Sequence, residues 1–162
     1  MKYFKILIST FFILGISRLV PHPPNFTTLI ALAFYMPIIF GIRYVPCVIV
    51  SLVLTDLIIG YHNLTAWTWS SIIFISAFSK FFNISKTFRF YGVSISVLFF
   101  YIFTNFGVWL TGYYGYTLEG LWLCYILAIP FLGNSFLSTI IFAFLIEIFY
   151  KYYKNNLKIK YN

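Results

Sequence analysis

The sequence predicts an all-α membrane protein, a bundle of six transmembrane helices, and three observations carry that expectation. The 162-residue chain is 62% hydrophobic and 9% charged, which leaves too little polar surface to coat a water-soluble globule. Its apolar stretches recur as runs bounded by proline, glycine and charge, the punctuation of successive helices. Its basic residues sort to one side once those runs are threaded back and forth across a bilayer.

The first run, Phe4 to Val20, follows Lys2 and Lys5 as a signal peptide would. No small-x-small cleavage pattern precedes its continuation into Arg18, so it reads as a retained helix. Pro21, Pro23 and Pro24 then stop it, because proline lacks the amide donor and pushes its predecessor into extended geometry. The segment PHPP is therefore a stiff, polyproline-like connector. Further runs lie at Thr28 to Ile42, Val45 to Ile59 and Leu64 to Ser79. Each is shorter than the ~20 residues a crossing usually needs, so these three are expected to stand nearly upright in a thinned region or to be partly re-entrant. The fifth run is Phe88 to Leu110, and the sixth is Gly120 to Tyr150. The sixth is longer than one crossing requires and contains Ile129-Pro130-Phe131-Leu132-Gly133-Asn134, which predicts a kink near Pro130. Residues 1–150 thus form the membrane domain, and residues 151–162 form a basic tail suited to the membrane surface.

Six alternating crossings place Lys2, Lys5, Arg43, Lys80, Lys86, Arg89 and the four lysines of the tail together, ten of the eleven Lys and Arg, with Arg18 alone opposite. By the positive-inside rule both termini are expected on the cytoplasmic side of a multi-pass protein of the inner (cytoplasmic) membrane. The formal charge of +8 therefore belongs to loops and ends rather than to a soluble basic face, which argues against nucleic acid as a partner. Cys47 and Cys124 sit in apolar runs without CxxC spacing, so neither a disulfide framework nor a zinc site is indicated.

With that topology the polar residues gather at the outer end. Arg18 and Asp56 both lie near outer helix ends, and a charge there is expected to pair or to face a wet cavity. Glu147, near the inner end of the last run, is expected to snorkel or to pair with a nearby lysine. Ser94, Tyr101, Asn105 and Gly112 share one stripe of the fifth helix. These residues suggest a pocket for a small, planar organic molecule with three walls. Arg18, His22 and Asn25 form the first, Asp56 and His62 the second, and Asn105, Trp109 and Glu119 the third. Asn134 stands just past the proline of the sixth run. No GxSxG, HExxH, phosphate-binding loop or Ser-Lys pattern is present, so the chain is not expected to be an enzyme and no cofactor is implied. His22, Asp56 and His62 lack the local spacing of a metal site.

RLVPHPPNFT at 18–27, TDLIIGYH at 55–62, NFGVWL at 105–110 and GLWLCYILAIPFLGNSF at 120–136 resemble a family of uncharacterised bacterial integral membrane proteins. That family is similar in its six-helix pattern to the S components, the substrate-binding subunits of energy-coupling-factor (ECF) vitamin transporters. The resemblance implies a helical bundle that captures a vitamin-like molecule from the outer face and hands it on by working against an energising module with ATPase subunits. Many S components carry an AxxxA docking pattern on the first helix, whereas Phe4 to Val20 contains no alanine. The expectation is thus a substrate-binding or transport subunit in the lipid bilayer. The competing expectation is a non-transporting scaffold that docks a protein partner through PHPPNFT.

Overall fold

The computed structural model describes residues 2–160, all of whose regular structure is helical. At its centre lies α2 (Leu29–Ile39), whose sequence LIALAFYMPII is apolar on every side and therefore suits burial on every side. Leu29 to Ala31 and Ala33 to Met36 are all buried. Around it pack α3 (Val45–Ile59), α4 (Thr65–Phe78), α5 (Lys86–Leu110) and α7 (Ile129–Lys160), while α1 (Lys2–Leu19) lies along α3 and α6 (Leu118–Leu127) along α5. Phe34, Tyr35, Leu52, Ile72, Val93 and Ala143 meet in the core. Ser76 donates to the carbonyl of Ala33 at 2.9 Å, tying α4 to α2 where both are buried. Close approach of α5 depends on Gly92, at which a Cβ would fall 2.6 Å from Phe34 Cζ. Leu57, Ile58, Phe74, Ile102, Phe144 and Leu145, by contrast, are exposed. Apolar surface of that extent suits lipid rather than water.

Among the described residues three helices, not the six expected, are long and apolar enough to cross a membrane: Ile42–Ile59, Lys86–Leu110 and Ile129–Tyr152. The first of these joins a 3-10 turn at Ile42–Tyr44 to α3. With 11, 14 and 10 residues, α2, α4 and α6 rise only ~17, ~21 and ~15 Å at 1.5 Å per residue, against a hydrocarbon core of about 30 Å. The remaining helix, α1, is 18 residues long but carries Lys2, Lys5 and Arg18.

The run expected to be one kinked sixth helix is two helices. α6 ends at Leu127, Ala128 turns (φ −87°, ψ −4°), and α7 begins at Ile129. Pro130 thus sits in the first turn of α7, where its missing N–H is one that no helix would have paired, so it starts a helix instead of bending one. Helix α7 runs without a break past residue 150, where a basic tail was expected to begin, as far as Lys160. The last two residues of that tail lie outside the described residues.

Candidate functional site

Two ionic clusters mark the two ends of the bundle. At one end, Arg18 in the last turn of α1 meets Asp56 near the end of α3, with Nη2 2.5 Å from Oδ1. Arg18 Nη1 also donates to Thr55 Oγ1, and Trp69 Nε1 donates to the other Asp56 oxygen at 2.7 Å. Asp56 is 2% exposed, so its charge is held by Arg18 and by the indole of α4 rather than by solvent. At the other end Glu147 of α7 receives both Arg89 Nε at 2.5 Å and Arg89 Nη2 at 2.9 Å, and Tyr35 of α2 adds a hydroxyl at 2.9 Å. The partner of Glu147 is thus an arginine of α5, not the lysine expected. Guanidinium provides the two parallel donors that a buried carboxylate needs, which an ammonium cannot.

The proline connector is fastened to the bundle between α1 and α2. Ser17 and Thr28 hydroxyls meet at 2.8 Å across its base, and Phe26 packs edge-on against Phe142 of α7, with centroids 6.3 Å apart. Asn25 takes a positive φ of 63°, a conformation asparagine tolerates better than most residues, and the Phe26 amide closes the turn onto the Pro23 carbonyl at 3.0 Å. Asn134 Nδ2 donates to the Pro24 carbonyl at 3.0 Å, so α7 holds the connector from its far side.

Between this connector, the α3–α4 loop, α5 and the α6–α7 junction lies a cavity of about 490 Å³. Arg18, His22, Asn25, His62 and Asn105 all line it. Asp56 stands one bond behind, holding Arg18, and Asn134 holds the connector. Trp109 and Glu119 do not reach it. The Trp109 ring packs against Phe106 and Tyr116, at centroid distances of 5.6 and 6.2 Å, and its buried Nε1 has no hydrogen-bond partner among the described residues. Glu119 is exposed in the first turn of α6, where a carboxylate complements the helix dipole.

Sequence reasoning missed several lining residues, among them Thr68, Thr104, Tyr114 and Ser135. Thr104 and Val108 were within reach of it. Tyr101, Thr104, Asn105 and Val108 follow i, i+3, i+4, i+7 spacing and so share one helix face. That face is fixed against α6 by side-chain bonds in both directions: Tyr101 OH donates to the Tyr125 carbonyl at 2.6 Å, and Tyr125 OH to the Ile102 carbonyl at 2.7 Å. Asn105 Nδ2 donates one turn back to the Tyr101 carbonyl at 2.8 Å. Among the described lining residues only Arg18 carries a formal charge, and Asp56 neutralises it. Among the described residues no group of three or more His, Cys, Asp and Glu is placed to hold a metal ion.

A family model described as Family of unknown function (DUF6580) matches residues 1–159. No curated protein and no solved structure matches the chain.

Proposed function

We propose, for a chain that belongs to this family of unknown function, that it is an integral membrane substrate-binding or transport subunit, similar to an S component, which captures a small vitamin-like organic molecule at the outer face. The observation that carries the reading is the cavity. Its volume of about 490 Å³ lies within the roughly 300–1,000 Å³ of small-molecule sites, and it sets a few polar groups among apolar and aromatic walls as such sites do. Side chains far apart in sequence converge on it, and short helices surround it. Helices that stop short of a full crossing leave non-helical backbone at depth, which a bilayer tolerates where that backbone lines a cavity. The outer position and the cytoplasmic termini rest on the sorting of Lys and Arg over six alternating segments, of which three helices are long enough to cross among the described residues, and the energising partner rests on the resemblance alone.

The test is uptake by cells with and without the gene across vitamins and their precursors, together with ligand-induced thermal shifts of the purified protein. A compound whose uptake needs the gene, and which stabilises the wild type but not Asn105→Ala, supports the reading. Unchanged uptake across the panel would count against it. A second reading is a scaffold that docks a protein through PHPPNFT, favoured by the exposure of Pro21, Pro23, Pro24 and Asn25. Crosslinking from position 22 distinguishes them, since a scaffold traps a protein and shows no ligand-dependent shift.

A further inference from the structure

The hydrogen bonds of the two histidines fix where each ring carries its proton, and the two rings come out opposite. His22 Nδ1 lies 2.7 Å from the carbonyl oxygen of Pro23. A carbonyl only accepts, so Nδ1 holds the proton and the remaining nitrogen, Nε2, is an acceptor in the neutral ring. His62 Nδ1 lies 3.2 Å from the backbone nitrogen of Leu64. An amide only donates, so here Nδ1 carries the lone pair and Nε2 carries the hydrogen. One cavity is therefore lined by one imidazole acceptor and one imidazole donor, from connectors at the same end of the bundle.

Resting on the reading of this cavity as a ligand site, we propose that its occupant is an uncharged, planar nitrogen heterocycle bearing a lactam, whose ring N–H donates to His22 Nε2 and whose carbonyl accepts from His62 Nε2–H. The charge of the wall disfavours charged ligands. Arg18 is already paired with Asp56 at 2.5 Å, so a carboxylate ligand would meet a cation whose charge is neutralised, and a cationic ligand would find no counter-charge among the described lining residues. Phe100, Tyr101, Tyr114 and Phe131 supply flat faces for a ring.

Full-length protein in lipid nanodiscs is titrated with three probes: quinazolin-4(3H)-one, its 3-methyl derivative, which lacks the N–H, and quinoline-2-carboxylate, an anion of similar size. The expected result is saturable binding of the lactam, about tenfold weaker binding of the methylated compound, the effect of losing one hydrogen bond, and the weakest binding by the anion. In His22→Leu the lactam and its methyl derivative should bind alike, whereas His22→Gln, which keeps an acceptor at the same reach, should restore the difference. A lactam that binds no better than its methyl derivative, discrimination that survives in His22→Leu, or tighter binding of the anion overturns the proposal. Tighter anion binding would leave the ligand site itself standing. No binding by any probe overturns the lactam proposal, and the site reading falls with it only if protein taken from native membranes also carries no small molecule.

Discussion

Replacing Asp56 by alanine removes the counter-charge of a guanidinium whose side chain is 15% exposed, and also the acceptor of the Trp69 indole. Both consequences are destabilising, because the mostly shielded cation is left without a counter-charge and the indole N–H without its acceptor. Breaking a buried ion pair from one side costs about 3–5 kcal/mol, and the orphaned indole N–H is part of that loss. Replacing both partners by apolar residues, Arg18→Met with Asp56→Leu, removes the charge altogether. That exchange is often neutral or better, so the double variant should lose only about 1–2 kcal/mol, mainly through Trp69. The assay is reversible unfolding in mixed micelles titrated with dodecyl sulfate, run on wild type, both single variants and the double. A loss below about 1 kcal/mol for Asp56→Ala would refute the reasoning, since it lies outside the range for a buried pair. A double variant as unstable as Asp56→Ala alone would refute it too.

Further predictions concern the second ion pair, packing and topology. At the opposite end, Tyr35→Phe removes a hydroxyl given to the Glu147 carboxylate and should cost about 1.5–3 kcal/mol in the same unfolding assay. Glu147→Ala strands Arg89 and should cost about 3–5 kcal/mol. Gly107→Ala would set a Cβ 2.5 Å from Trp67 Cγ, an overpacking worth about 1–3 kcal/mol, whereas Gly133→Ala meets nothing within 4 Å and should leave stability unchanged or slightly raised. For topology, a cysteine at Tyr113, which is 82% exposed, should react with a membrane-impermeant maleimide on intact spheroplasts, and one at Lys151 only after permeabilisation. The native Cys47 and Cys124, 0% and 2% exposed, should stay silent in the folded protein.

Where elements begin and end was legible in the sequence wherever a residue forces the backbone. Pro21 to Pro24 ended the first helix, and the third closed at the expected Ile59 before Gly60, with its φ of 109°. The second, by contrast, stopped at Ile39, ahead of Gly41 (φ 97°) and short of the expected Ile42, and the Ser85 hydroxyl capped the fifth at Lys86 rather than at Phe88. Misreading came at Pro130, because one proline can kink a long helix or open a new one, and only the turn at Ala128 distinguishes the two. The number of crossings was overstated for a related reason. Apolar composition marks a helix as lipid-compatible, but length decides whether it spans, and α2 is apolar because protein surrounds it.

For the site, charge and depth were enough to place the Arg18 and Asp56 pair, since two opposite charges near the same end of neighbouring apolar helices have few other ways to be accommodated. Convergence of His22, His62 and Asn105 on one cavity followed from sorting polar residues by side. Sidedness alone could not separate Trp109 and Glu119 from them, because residues of one end still point in different directions. Trp109 turns into an aromatic cluster, and Glu119 lies exposed in the first turn of a helix that Thr117 caps. Asn134 illustrates a third case, a polar residue that supports the site by holding a backbone carbonyl of the connector.

The most direct test of the central claim is the native mass of the protein released from the membranes in which it is made, measured beside a variant whose cavity is filled. Thr104→Phe places a ring on the lining of α5 at a position that belongs to neither ionic cluster. The account predicts that the wild type carries one small molecule of defined mass and that folded Thr104→Phe carries none. Identical small-molecule loads in the two proteins, or none in either, would contradict it.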